Sequence, residues 1–392
     1  MSAYDFNDER TIRAGRRARD WMKSGLLTVE QYERIKPELQ VDLRRTNLFL
    51  RLTLFAFTML ILQSALGLAA IFLLALLLSG LDGEARTAVL CALGGVVCFW
   101  FAGFLVGRYR LYRFGIEEAA AVAAVGLMGG AAALGWSAIV PGGDGPVVAG
   151  LVAAAAVAVA VFFRFGYLYA ALAAMGCVGA LPFLFGDSEI IQRLISIAIL
   201  SAVAAAAWMK RDEHGDEHPG DTYGLIEAAA WVGIYALLNL QVFTRIDRAS
   251  WFYWATYAGI WMVPLLGLWW SIRGRQRMLL EVSVLLMLAT LMSNKAYLGS
   301  TRYPWDPIVF GLVLMGTAIA TRRWLASGED GHRDGFTAAR ILSSDKSTAA
   351  LAGTVASMAH PGTPAAAGPA SAPADPIGGG GRSGGAGATE SF

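Results

Sequence analysis

Charge is what this chain has least of. Asp, Glu, Lys and Arg make up 16% of its 392 residues, against 56% hydrophobic residues, which excludes an ordinary soluble core and points to a multi-pass membrane protein. The net charge of +2 is small and the arginines are spread over many short connections. A nucleic-acid partner, which needs one concentrated basic face, is therefore not expected. Cysteine is scarce too: Cys91 and Cys98 fall in one apolar run and Cys177 in another, leaving no disulfide framework or thiolate metal site. Cys91 and Cys98 share a helix face and are expected to be small packing residues. No secretory leader is expected, because about fifty polar residues precede the first long apolar run near Leu52.

The usual signatures of catalysis are missing as well. The run "GGGGRSGG" from Gly378 follows no strand, opens no helix and lacks the Gly-Lys-Ser/Thr ending of a phosphate loop. There is no serine elbow and no zinc-protease His-Glu pair. No cofactor is expected, and an enzyme is the weakest of three functional readings. Its best location would be "YLGSTRYPWDP" from Tyr297, through Arg302, Trp305 and Asp306, where a proline-stiffened turn anchored by aromatics is the preferred reading.

What the chain has is apolar length. A helix needs about 20 apolar residues to cross the hydrocarbon core, and its backbone groups must be satisfied within the segment. On that criterion the expected fold is all-α: a polytopic transmembrane bundle of about ten spans, over 52–79, 87–106, 119–140, 147–163, 166–185, 190–209, 223–243, 251–271, 279–293 and 307–321. The domains expected are a cytosolic amphipathic helical hairpin at 1–51, the bundle at 52–325 and a flexible Gly/Ala/Pro-rich tail at 326–392. In the tail, "GFTAARILSSD" from Gly335 predicts one or two helical turns.

Basic residues near helix ends are retained in the cytoplasm. With the N-terminus inside, the inner connections carry Arg108, Arg110, Arg113, Arg164, Lys210, Arg211, Arg273, Arg275, Arg277, Arg322 and Arg323, against Arg86, Arg193, Arg245, Arg248, Lys295 and Arg302 outside. Both termini are thus expected in the cytoplasm. Small residues four apart, Gly103 with Gly107 and Gly126 with Gly130, suit close helix packing inside the bundle; they also leave open a homo-oligomer or another membrane protein as partner. Trp251, Trp254, Trp269 and Trp270 bracket the eighth span as interface anchors.

In the N-terminal segment, Asn7 is the expected cap of a helix with Ala14, Ala18, Trp21 and Met22 on one face and arginines beside it. Gly25 stops it. Thr28 and Gln31 form a capping box for a second helix offering Tyr32, Ile35 and Leu39, with Pro37 kinking or restarting it. Acidic residues balance the basic ones, so contact with anionic headgroups is favoured over DNA reading. The run "DWMKSGLLTVEQYERI", with Trp21, Gly25, Leu26, Leu27, Thr28 and Gln31, followed by a basic linker and a cascade of hydrophobic helices, resembles the N-terminal signature of a family of uncharacterised bacterial inner-membrane proteins, a predicted membrane protein domain of unknown function. The resemblance implies the bacterial inner membrane and many spans; it brings no catalytic residues.

Charges inside spans are costly and by default face a cavity or mark a pathway. Glu227 and Glu281 lie near the inner starts of spans seven and nine, and Asn239 and Gln241 toward the outer end of span seven. These four are the candidate transport or polar-cavity residues, with headgroup contact or helix capping as the competing role for the glutamates. The loop "KRDEHGDEHPGD" from Lys210 holds His214 and His218, the weak candidates for a metal; Gly215 and Pro219 break the helix that would align them, so a solvated loop is preferred. The expected function is a structural, accessory or regulatory role in the membrane. The second reading is a secondary transporter or lipid translocator with a cavity near spans seven to nine.

Overall fold

The computed structural model describes residues 3–23, 25–76, 82–140, 142–214, 222–240, 250–274, 276–299, 306–328, 332–333 and 336–337. All belong to one compact unit, Met1–Leu342. Among the described residues the chain is helical apart from one pair of two-residue strands. Short helices α1 (Phe6–Lys23) and α2 (Val29–Ile35) lead through a 3-10 turn, Lys36–Leu39, to α3 (Leu48–Leu76), α4 (Gly83–Tyr109), α5 (Ile116–Ile139), α6 (Gly145–Phe165) and α7 (Leu168–Ala180). After these come α8 (Glu189–His214), α9 (Thr222–Leu238), α10 (Trp251–Arg273), α11 (Arg277–Leu298) and α12 (Asp306–Ala326).

Among the described residues seven helices are long and apolar enough to cross a membrane: α3, α4, α5, α6, α8, α10 and α11. The expected spans at 166–185 and 223–243 appear as shorter apolar helices, Leu168–Leu184 and Thr222–Leu238. The first is closed by a 3-10 turn at Pro182. The predicted tenth span is helical, as α12, but is not one of the seven. Large apolar side chains such as Phe57, Leu60, Ile71 and Phe72 on α3 stand more than half exposed. A water-soluble chain does not carry such contiguous apolar surface, whereas in lipid it costs nothing.

The helices pack around two centres. One joins Ala102, Tyr112, Ala120, Val161, Phe165 and Tyr167 with Tyr4 and Ile12 of the N-terminal segment. The other joins Ile234, Tyr235, Phe252, Ile260, Leu286 and Tyr297 from α9, α10 and α11 with Leu200 of α8. Close approach relies on small residues, though not on the pairs singled out above. A Cβ at Gly103, Gly107, Gly126 or Gly130 would meet nothing within 4 Å. The tight contact is instead Gly129 of α5 against Gly150 of α6, where a Cβ on either would lie 3.2 Å from the other's carbonyl oxygen. Residues four apart share a helix face, but only the neighbour decides which face is filled.

In the N-terminal segment three local expectations hold and two do not. Thr28 and Gln31 form the reciprocal capping box, Gly25 takes φ +79° at the turn, and Pro37 restarts the chain as a 3-10 turn. The first cap differs: the Asp5 carboxylate, not Asn7, accepts the Asn7 N–H at 3.0 Å. Its charge complements the positive helix end. The buried face differs in part: Ala18 is buried as expected, but with Glu9 and Ile12, while Ala14 and Trp21 are exposed. In the expected tail, His332–Arg333 pairs antiparallel with Phe336–Thr337 where helical turns were expected. Residues 338–392 lie outside the described residues.

An ion pair ties α3 to α5. Gly115, at φ +107°, lets the start of α5 lie against the Arg51 backbone, where any Cβ would collide. Arg51 Nε then donates to Glu118 Oε2 at 2.7 Å, and its Nη2 to Oε1. Glu118 is 3% exposed, so removing the arginine strands a charge away from water. Arg51→Met should lower stability by about 3 kcal/mol, and the double variant Arg51→Met/Glu118→Leu should recover most of that loss. Thermal unfolding of the purified protein in detergent checks both.

Candidate functional site

Two polar constellations stand out, one along α9 and one where the N-terminal segment meets the bundle. Helix α9 has 17 residues, about 26 Å at 1.5 Å per residue, short of a hydrocarbon core of about 30 Å. Its ends therefore need partners. At its C-terminal end, the Arg193 guanidinium from α8, 2% exposed, donates to the Leu237 carbonyl. The Tyr297 hydroxyl from α11 donates to the Leu238 carbonyl at 3.1 Å and accepts from the Leu240 N–H at 2.7 Å. A cation at the C-terminal end of a helix dipole and a hydroxyl that serves both chain directions substitute for water there.

Asn239 sits in the same cluster, 1% exposed. Its amide donates to the Ser293 hydroxyl at 2.9 Å and lies 3.4 Å from the Tyr235 hydroxyl. Thr290 extends the network to Tyr235 at 3.1 Å and to the Ile260 carbonyl at 2.8 Å. Gln241 lies outside the described residues.

Near the N-terminal end of α9, Glu227 is 2% exposed. With its amide nitrogen toward Glu227, Gln276 donates to Oε2 at 3.2 Å while its oxygen accepts from Arg211 Nη1 at 2.8 Å. Glu281 is placed differently: it accepts from Arg277 Nε, one turn away on α11, at 2.8 Å and is about one-third exposed. The two glutamates thus have separate partners, one between helices and one along its own. His214 ends α8, and His218 lies outside the described residues. Among the described residues no group of three His, Cys, Asp or Glu is placed to hold a metal. Trp251, Trp254, Trp269 and Trp270 stand exposed at the two ends of α10. Trp269 carries the Arg273 guanidinium over its face at 5.5 Å.

The second constellation was not read from the sequence. The Ala3 N–H donates to the Arg164 carbonyl at the end of α6, and the Tyr4 hydroxyl meets the Tyr167 hydroxyl at 3.2 Å. Arg44 lies beside the α4–α5 connection as a parallel bridge to Leu111, bonded through the Arg110 carbonyl and the Tyr112 N–H at 3.0 Å each. Arg110 pairs with Asp42 at 2.9 Å and Asp8 at 3.8 Å. The Tyr112 hydroxyl donates to Glu9 at 3.0 Å, with the Arg45 and Arg113 guanidinium groups 5.8 and 5.9 Å from its ring centre. Beneath lie Glu117, fully buried, whose Oε1 accepts the Phe114 N–H, and the Glu118–Arg51 pair. Two adjacent glutamates opening an apolar run were the available signal, since carboxylates suit a helix N-terminus. Nothing local reveals that the N-terminal segment covers them.

Burial raises the Glu9 carboxyl above its usual range, against the lowering by the Tyr112 hydrogen bond and by Arg113, Arg13 and Arg16. Burial, then Glu9, pushes Tyr112 up to about 12. No family model, no curated protein and no solved structure matches this chain.

Because the docked Glu9 prefers its proton, its contribution to docking is full below the ordinary carboxylate range and is lost as pH rises through the raised value. Glu9→Gln should flatten that dependence while keeping the Tyr112 contact. Hydrogen exchange of α1, corrected for intrinsic rate, measures it across pH 4 to 8. At the other end, Tyr297→Phe should cost about 1–3 kcal/mol by leaving the Leu238 and Leu240 backbone groups unpaired. Faster exchange at those amides is the expected sign.

Proposed function

We infer that the chain is a multi-pass protein of a bacterial inner membrane, with about ten spans and both termini in the cytoplasm. It serves an accessory or regulatory role through its N-terminal helical hairpin. The likeness of "DWMKSGLLTVEQYERI" to the uncharacterised inner-membrane family belongs to this reading. The observation that carries it is the division of labour in that segment. Glu9, Ile12 and Ala18 are buried, with Glu9 and Ile12 held against the bundle, whereas Trp21, Leu26 and Val29 of the signature run stand 43%, 60% and 66% exposed. Apolar side chains at the tip of a hairpin anchored elsewhere are suited to a partner protein or to the lipid surface. The segment also bonds to the 110–112 and 164–167 connections, which the positive-inside count assigns to the cytoplasm.

The topology is tested with single cysteines in a chain freed of Cys91, Cys98 and Cys177. Gly143→Cys should react in intact cells with a membrane-impermeant maleimide, and Gly25→Cys should react only after lysis. The reverse pattern overturns the orientation. A photo-crosslinking residue at position 21 should give one discrete protein adduct; adducts to lipid alone would remove the accessory role and leave a membrane-surface anchor.

A second reading, secondary transport or lipid translocation, is favoured by one specific feature: α9 carries buried Glu227 near one end and buried Asn239 at the other, and its length falls short of the bilayer core. Short helices with polar ends are where transporters bind substrates. Under that reading Glu227→Gln alters a flux in proteoliposomes, and under the accessory reading it does not.

A further inference from the structure

A groove of about 640 Å³ runs along the outside of the bundle. Helices α4 and α6 both pack on α5, and Met128 of α5 lines the groove together with Phe99 of α4 and Val157 of α6. The lining is apolar until its end, where Arg164, in the last turn of α6, enters it. Along α4 it extends from Gly95 to Phe104, about 14 Å at 1.5 Å per residue. Gly103 keeps the wall low; a Cβ there would meet nothing within 4 Å.

At the same end of α4, Phe104 packs edge-on against Tyr109 with ring centres 5.9 Å apart. Tyr109 belongs to a second pocket, lined also by Asp42, Arg44, Arg108 and Arg110. Arg110 is occupied by Asp8 and Asp42. Among the described residues the Arg44 and Arg108 side chains have no hydrogen-bond or ion-pair partner. A long apolar trough thus leads to guanidinium groups at one end only, and those groups exceed the local carboxylates in number.

We propose that this groove is a binding site for an anionic phospholipid of the inner leaflet, one acyl chain lying over Met128 and Gly103 and the phosphate meeting Arg164 and Arg108. Arginine forks match phosphate oxygens in pairs, and basic residues at the cytoplasmic surface attract anionic headgroups. The chain length of the trough requires the acyl tail, and the cationic end selects the headgroup. Neither feature alone distinguishes a bound lipid from bulk bilayer. The inference rests on the reading that the chain spans the membrane with its N-terminal segment inside.

The test is lipid retention. Protein purified in detergent is exchanged with equimolar phosphatidylglycerol and phosphatidylcholine of identical acyl chains, and retained lipid is counted by native mass spectrometry. Wild type should prefer phosphatidylglycerol. Arg108→Gln and Arg164→Gln should each lower that preference, by roughly fivefold at most, without abolishing phosphatidylcholine retention. Gly103→Phe should reduce retention of both lipids, whereas Gly126→Phe, on α5 outside the groove lining and equally unobstructed, should leave it unchanged and so controls for misfolding. Equal retention of the two lipids by wild type, or no effect of Gly103→Phe, overturns the proposal. A wrong topology would show instead in the cysteine labelling, which does not depend on lipid choice.

Discussion

A polar group away from water must find its partner within the protein, and the arrangement of this chain follows from where that demand is hardest to meet. Helix interiors meet it automatically through their own ladders. Helix ends do not, and the described hydrogen bonds between distant parts of the chain concentrate there. Arg193 and Tyr297 close the C-terminal end of α9, Arg51 meets Glu118 at the start of α5, and Gln276 bridges Glu227 to Arg211 near the N-terminal end of α9. Between those levels, contact is made by small and apolar side chains such as Gly129 against Gly150. Dispersion between closely approaching backbones is what remains when surrounding lipid is as apolar as the helices themselves.

The same demand accounts for the N-terminal segment as part of the folded body. Beneath it Glu117 accepts the Phe114 N–H and Glu118 pairs with Arg51, while the hydroxyls of Tyr112 and Tyr167 meet Glu9 and Tyr4 of the segment and the Arg44 backbone bridges Leu111. Buried networks of this kind are strong when complete and costly when opened. The segment closes on these connections while Trp21 and Leu26 stay exposed, and the Ala3 N–H bond to the Arg164 carbonyl ties it to the end of α6 beside the proposed lipid groove.

Much of the fold was legible in advance. Apolar run length located each long helix to within a few residues, and local chemistry located the Thr28–Gln31 box and the Gly25 turn, since both depend on neighbours in sequence. The misreadings have a common cause. Periodicity alone puts Ala14, Ala18, Trp21 and Met22 on one face of α1, of which Ala18 is buried and Ala14 and Trp21 are exposed, and it marks Gly103, Gly107, Gly126 and Gly130 as close-packing residues. Periodicity says which residues share a face and is silent about what that face meets. The candidate sites divide the same way: Glu227 and Asn239 were suspected for being polar in apolar runs and are indeed buried between helices, but Glu281 carried the same signal and is held by Arg277 on its own helix.

The sequence by itself determined that this is a helical chain with many apolar segments suited to lipid, charges kept near helix ends and a capped polar segment ahead of them, although it counted about ten spans where seven of the described helices are long and apolar enough to cross. Those properties are sums over neighbouring residues: hydropathy over a run, a hydroxyl three positions from its amide. Only the tertiary structure decided that Arg51 reaches Glu118, that Tyr297 closes a helix 59 residues away, that Tyr4 sits on Tyr167, and that α4, α5 and α6 line a groove with arginine at its end. Each of these is a contact between segments whose separation along the chain carries no information about their distance in space. They depend on how helices of similar apolar composition choose among similar neighbours, and that choice is made by side-chain shape and by the few polar groups that must not be left alone.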